Sequence, residues 1–329
     1  MARVTITSDY YGSGLGTTDE YGSGANARYI PALYSKKTLR RFLAETCFMD
    51  ITNREYEGEI RKYGDTLYIR KDPAVIVNDY AIGATLSYDT PKEDAVELVI
   101  NKAKYTAFKV DDVDRAQSDI DLINTFAKNT KKEIQIKVEQ EVFTYMSTAA
   151  AATNAGASAG AISGNVNLGA AGTPLAIDAA ADTGVVSAIQ LLLRFNQVLD
   201  EANAPMENRW VVIPAWFATY LKDGDLKRAD VTGDATGTIR TGLLGTIDGL
   251  RVYRNNNLYS VTDGTTSRTA WYILSGCTEA CTFAAQMDKS DQLQIPTSFG
   301  MYWRTLFVYG RLVTQPAALA VGYVEPNPA

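Results

Sequence analysis

The sequence contains no histidine. That absence removes the commonest proton-transfer side chain near neutral pH. With it go Ser-His-Asp and Cys-His nucleophilic machinery and the usual nitrogen ligands of a metal. Cysteine is scarce, with Cys47, Cys277 and Cys281 an odd set of three that forms no CxxC pair. Cys277 and Cys281 stand four apart in a strand-like stretch and read as small buried hydrophobes, which fits a reducing compartment. Positive charge is in deficit: 32 Lys and Arg stand against 38 Asp and Glu, a net charge of −6. That balance argues against a protein that grips nucleic acid through phosphate contacts, though not against one that encloses it. No apolar run approaches the ~20 residues of a membrane span, and no secretory signal follows Met1. A soluble protein made inside the cell, without a membrane partner, is expected.

What is present is ordinary in composition and long enough for two or three lobes: 329 residues, 46% hydrophobic and 21% charged. The organising stretch is Val113–Met146, which has neither Gly nor Pro. Ala116, Ile120, Ile123, Ala127, Thr130, Ile134, Val138, Val142 and Tyr145 recur at steps of three and four, which predicts a long helix. Acidic residues at its start suit the positive end of the helix dipole. Before it, Val96–Val110 has no breaker and reads as one long strand. At about 1.5 Å per helical residue and about 3.3 Å per strand residue, each spans roughly 50 Å, which suggests an elongated layer.

Residues 1–28 are rich in Gly, Ser, Thr and Tyr, with Tyr11-Gly12-Ser13-Gly14 recurring as Tyr21-Gly22-Ser23-Gly24. The spacing does not make a phosphate loop, and a flexible arm is expected. Pro31–Phe48 reads as a short helix carrying the basic cluster Lys36, Lys37, Arg40 and Arg41, a solvated or partner-facing surface. Glu55–Lys71 reads as a hairpin turning at Lys62-Tyr63-Gly64-Asp65, with Glu55, Glu57, Glu59 and Arg61 on one side and Arg70 and Lys71 at its base. Such a ribbon has little apolar surface and would gain order against another subunit.

The Ala/Gly/Ser/Asn tract from 147 to about 184 predicts a loosely packed excursion between two lobes. Val185–Ala202 reads as an amphipathic helix, Arg209–Ile213 as a buried strand, and Pro214 as the start of a short helix. Gly242–Leu258 reads as strand-turn-strand around Gly249. Tyr272–Phe283, Gln292–Gln294, Leu306–Val313 and Ala318–Val324 read as strands, the last two broken by Pro316. Strand runs with helices set apart point to an α+β fold.

The order of several short motifs carries a resemblance. They are Gly64-Asp65-Thr66 in the hairpin, Lys104-Tyr105-x-x-Phe108-x-Val110-Asp111-Asp112 before the long helix, and Val211-Val212-Ile213-Pro214. Gly245-x-Ile247-x-Gly249-x-x-Val252-Tyr253, Asn255-Asn256-Asn257-Leu258, and Phe307-x-Tyr309-Gly310-x-x-Val313-x-x-Pro316-x-x-Leu319 follow. From Glu55 nearly to the C-terminus the chain resembles the major capsid (coat) proteins of tailed bacteriophages with the HK97 fold.

The resemblance implies an N-terminal arm (1–50), an extended E-loop (51–93), a peripheral domain (94–180 and 298–329) with a spine helix at about 113–146, and an axial domain (181–297). It implies a homo-oligomer of hexamers and pentamers closing into an icosahedral shell around double-stranded DNA, without sequence-specific binding. A separate scaffolding protein and a portal protein are the expected partners, with a decoration protein left open. The expected location is the virion, and the host cytoplasm during assembly. Inter-subunit contacts are expected from Glu55, Glu57, Glu59, Arg61, Lys62, Arg70 and Lys71. No enzyme activity, cofactor or metal is expected. Two other shell or surface readings stay open: an encapsulin-type shell that houses enzymes, and a strand-rich surface or adhesion protein. A carboxylate-dependent hydrolase is a further alternative, opposed by the lack of a dense catalytic constellation.

Overall fold

In a computed structural model of the chain, which describes residues 44–57, 66–73, 75, 77–83, 85, 88, 94–112, 122–224, 245–294 and 299–327, strand β6 (Arg209–Ile213) is buried along its whole length. Its alternation divides it between two cores. Trp210 and Val212 enter one, while Val211 and Ile213 enter the other. The same division runs through its neighbour β10 (Thr269–Cys277) and the next strand, β13 (Leu319–Pro326). Leu274 and Val321 face one side, and Ile273 and Ala320 the other. This mixed sheet has eight strands. Its other members are β4 (Leu175–Asp178), β5 (Val185–Ser187), β7 (Thr246–Ile247), β8 (Leu250–Arg254) and β9 (Ser260–Thr262).

Helices cover both faces. On one lie α3 (Ala188–Glu201) and α4 (Ala215–Asp223), whose Leu191, Leu192, Phe195, Phe217 and Leu221 are fully buried. On the other lie α1 (Phe48–Ile51) and the C-terminal half of α2 (Leu122–Ala149), which contributes Ile134, Val138, Val142, Phe143 and Met146. A sheet shielded on both sides explains why β6 reads as a continuous apolar run.

A second, three-stranded sheet joins β3 (Lys102–Asp111), β12 (Gly300–Val313) and β11 (Cys281–Gln294). One face packs on α2, as the edge-to-face contact of Phe108 and Phe126 shows, with ring centroids 5.6 Å apart. A third sheet is a ribbon of β1 (Thr66–Lys71) and β2 (Asp94–Val99) in antiparallel register, Thr66 opposite Val99 and Lys71 opposite Asp94.

Several sequence expectations need correction. The long strand is two strands: β2 and β3 lie in different sheets and part at Ile100–Asn101. The chain switches sheets where Gly310 of β12 lets it come close; a Cβ there would sit 2.8 Å from the Val99 carbonyl oxygen. Of Glu55–Lys71, residues 58–65, with the expected turn at Lys62-Tyr63-Gly64-Asp65, lie outside the described residues. Asn53 Oδ1 accepts the Glu55 amide at 2.9 Å and the Glu57 amide donates to the Arg54 carbonyl, which curls the chain there, while β1 pairs with β2. Residues 44–47 are not helical, and α1 begins rather than ends at Phe48.

Val185–Ser187 is a strand, and the helix expected there starts at Ala188 with the Ser187 hydroxyl accepting from the Gln190 amide. The Ala/Gly/Ser tract is no loose excursion. Ala159 and Leu168 are fully buried, Asn154 donates to the Ala317 and Leu319 carbonyls, and the Tyr323 amide donates to the Leu168 carbonyl. Gly169, at φ +82°, makes that contact possible, since a Cβ would lie 2.0 Å from the Tyr323 carbonyl oxygen. The long helix runs three residues past Met146, to Ala149; its expected start at 113–121 lies outside the described residues.

Candidate assembly surfaces

The ribbon has two unlike faces. Leu67, Ile69 and Leu98 pack with Ile100 onto Ala284, Val308 and Leu312 of the three-stranded sheet. Tyr68 and Arg70 point away, with Tyr68 66% exposed. The chain joining β1 to β2 carries Val75, Val77, Tyr80, Ile82 and Tyr88, all strongly exposed, with Ile82 at 99%. The outer face of the three-stranded sheet, opposite α2, adds exposed Tyr105, Tyr302 and Leu293. An Asp291–Arg304 ion pair at 3.1 Å lies on the same face.

Of the residues singled out from sequence, Glu55, Arg70 and Lys71 line one polar cleft of about 600 Å³, together with Arg54, Asp72 and Glu279. Lys71 Nζ lies 3.8 Å from Asp94 Oδ2 across the ribbon's end, and Glu57 pairs with Arg54 at 2.7 Å. Exposed pairs such as these add little stability, so they fix geometry rather than hold the fold. Glu59, Arg61 and Lys62, and the basic cluster Lys36, Lys37, Arg40 and Arg41, lie outside the described residues.

Two carboxylates of α2 were missed from sequence. Glu141 Oε2 lies 2.7 Å from Lys104 Nζ and accepts the Tyr309 hydroxyl at 2.6 Å, while Arg311 Nη2 is 3.5 Å from Oε1. Burial pushes Glu141 up, but the Lys104 and Tyr309 hydrogen bonds and the Arg311 charge outweigh it and hold the carboxyl below its ordinary value. Burial, reinforced by Glu141, raises the Tyr309 phenol. This cluster ties the long helix to β3 and β12. Glu139, fully buried, accepts from the Cys47 amide at 2.6 Å, the Phe48 amide at 3.1 Å and Asn257 Nδ2 at 2.6 Å. The signal was present in the spacing: Glu139 stands three, four and seven residues before buried Val142, Phe143 and Met146.

All three cysteines are buried free thiols, and burial pushes Cys281 up to about 12. Among the described residues no group of acidic or sulfur side chains is arranged to hold a metal. None of their helices is long and apolar enough to cross a membrane.

Comparison with known proteins agrees with this architecture. No curated protein matches the sequence. A structure from Mycobacterium phage Che8 is 28% identical, with TM-score 0.72 over 89% of this chain and 96% of that one. The capsid of the cyanophage P-SCSP1u is 16% identical, with TM-score 0.67 over 95% and 98%. The capsid of a native GTA particle is 14% identical, with TM-score 0.63 over 91% and 97%. A family model described as phage capsid protein matches residues 95–322, more than half of the chain. The chain therefore belongs to the phage capsid protein family: it has the HK97-like fold and is a structural component of a virion rather than an enzyme.

Proposed function

We propose that this chain is the major capsid protein of a tailed bacteriophage, assembling as hexamers and pentamers into an icosahedral shell around double-stranded DNA. The observation that carries this reading is the segment between β1 and β2. A lone soluble chain rarely displays a group of large apolar side chains like Val75, Val77, Tyr80, Ile82 and Tyr88. They are suited to lie on copies of the same chain, and the exposed Tyr105, Tyr302 and Leu293 offer a surface of matching character.

In this reading residues 1–50 are the arm, 51–93 the E-loop, 94–180 with 298–329 the peripheral domain, and 181–297 the axial domain. The cleft that gathers Glu55, Arg70 and Lys71 sets the register of a neighbour through charge, contributing specificity more than affinity. The net charge of −6 limits adhesion to DNA, so a genome can be packed and released. Assembly takes place in the host cytoplasm with a separate scaffolding protein and a portal; a decoration protein would add to the finished surface. The experiment is electron microscopy of the full chain co-expressed with its scaffolding protein, beside a variant in which residues 73–92 are replaced by a short Gly/Ser linker. Uniform closed particles from the first and a folded, unassembled subunit from the second are expected; closed particles from both would remove the E-loop role.

A further inference from the structure

The run Asn255-Asn256-Asn257 places three amides against three different parts of the molecule. Asn255 Nδ2 donates to the Glu45 carbonyl and to Cys47 Sγ, each at 3.3 Å. The Asn256 side-chain oxygen accepts the Ala215 amide at 3.1 Å, at the start of α4. Asn257 Nδ2 donates to Glu139 of the long helix at 2.6 Å, and Asn255 Oδ1 accepts the Asn257 amide at 2.8 Å, which holds the turn in shape. The other Glu139 oxygen accepts the Cys47 and Phe48 amides.

Glu139 and Asn257 are both buried, at 0% and 7% exposure. A carboxylate there is stable only while its oxygens find donors, and these donors come from parts of the chain more than 90 residues away on either side.

We propose that the Glu139 carboxylate and the Asn255–Asn257 turn form a latch that fixes Glu45–Phe48 to the long helix and to the eight-stranded sheet at once, and that closed particles form in good yield only while the latch is made. Glu139 is a positioning residue: it acts on assembly through the segment it holds. A displacement of the turn reaches the Cys47 and Phe48 amides through Glu139, and Glu45 and the Cys47 sulfur through Asn255. The latch stands on the hydrogen bonds alone; its consequence for assembly rests on the shell reading.

The test uses the full chain and exploits the chemistry of the pair. Asn257→Asp removes the donor from Glu139 and sets two carboxyl groups face to face, which can hydrogen-bond again only by taking up a proton, a cost the native amide does not carry. Glu139→Gln alone is the intermediate case, because Asn257 can rotate its amide to accept from the new NH₂. The double variant Glu139→Gln/Asn257→Asp restores a donor and an acceptor with the direction reversed, while the glutamine oxygen still accepts from Cys47 and Phe48.

The readout is hydrogen exchange at the Cys47 and Phe48 amides, with β6 amides as an internal reference, and particle yield by electron microscopy. Asn257→Asp is expected to speed exchange at Cys47 and Phe48 by about tenfold or more over β6 and to lower particle yield, and the double variant to restore both. Unchanged exchange in Asn257→Asp, or a double variant as damaged as the single one, overturns the latch. If Asn257→Asp does not fold, the double variant decides: folded and protected supports the latch, unfolded refutes it. Failure of the unmodified chain to form particles would count against the shell reading and leave the exchange comparison intact.

Discussion

The eight-stranded sheet and the β1–β2 ribbon share the two-residue alternation of side chains between faces and reach opposite ends. Arg209–Ile213 and Leu319–Val324 alternate into two cores, and helices close both faces. Thr66–Lys71 alternates just as clearly, but only Leu67 and Ile69 find a core, and the chain that follows shows Val77 and Ile82 to solvent. Alternation of side chains alone therefore does not state whether a surface is finished within one chain. The first region is complete as a monomer; the second is completed by neighbours in the proposed shell.

Substitutions should separate the two regions by size of effect. Phe195→Ala removes a fully buried ring of α3 that packs beside Gly322. A loss of about 3–5 kcal/mol in denaturant unfolding is expected. Gly310→Ala forces a Cβ to 2.8 Å from the Val99 carbonyl and 3.0 Å from Ile100 Cγ1. It should cost about 1–3 kcal/mol and loosen the ribbon first, seen as faster amide exchange in β1 and β2 with α3 unaffected.

Acid should act on the finished region through Asp263. Backbone amides of Thr265 and Gly172, then Thr266 and the Tyr323 hydroxyl, hold its carboxyl down to about 2, against an ordinary 3.8. A depressed folded value stabilises above the ordinary pKa, and that contribution is lost as pH falls from 3.8 toward about 2. Asp263→Asn should flatten the acid limb of the stability curve there; an unchanged limb would mean that Asp263 does not carry it. Smallest of all, Arg54→Ala removes an exposed partner of Glu57 and should change stability by at most about 0.5 kcal/mol in the same unfolding assay.

Local signals were legible and distant ones were not. Pro214 ahead of a helix, the Asp248–Gly249 turn and the break at Pro316 follow from backbone chemistry within a few residues, and the structure has each of them. The pairing of Thr66 with Val99 depends on a register across a long connection, which no local pattern states. The tract around Gly156–Gly172 was misread because small side chains look loose in sequence, whereas here they allow backbone to approach backbone. Of the residues expected from sequence to touch other subunits, Glu55, Arg70 and Lys71 line one cleft, which their spacing along the chain did not state. Glu139 escaped notice because a charged residue on a helical face reads as solvated, and only its place among Val142, Phe143 and Met146 hinted otherwise.

The most direct measurement pairs the unfolding stability and the particle yield of the Val77→Asp/Ile82→Asp variant, two side chains 92% and 99% exposed in the single chain. The account predicts stability within about 0.5 kcal/mol of the unmodified chain, as for surface substitutions, and loss of closed particles. Closed particles at unchanged yield, or a stability loss of the size expected for Phe195→Ala, would contradict it.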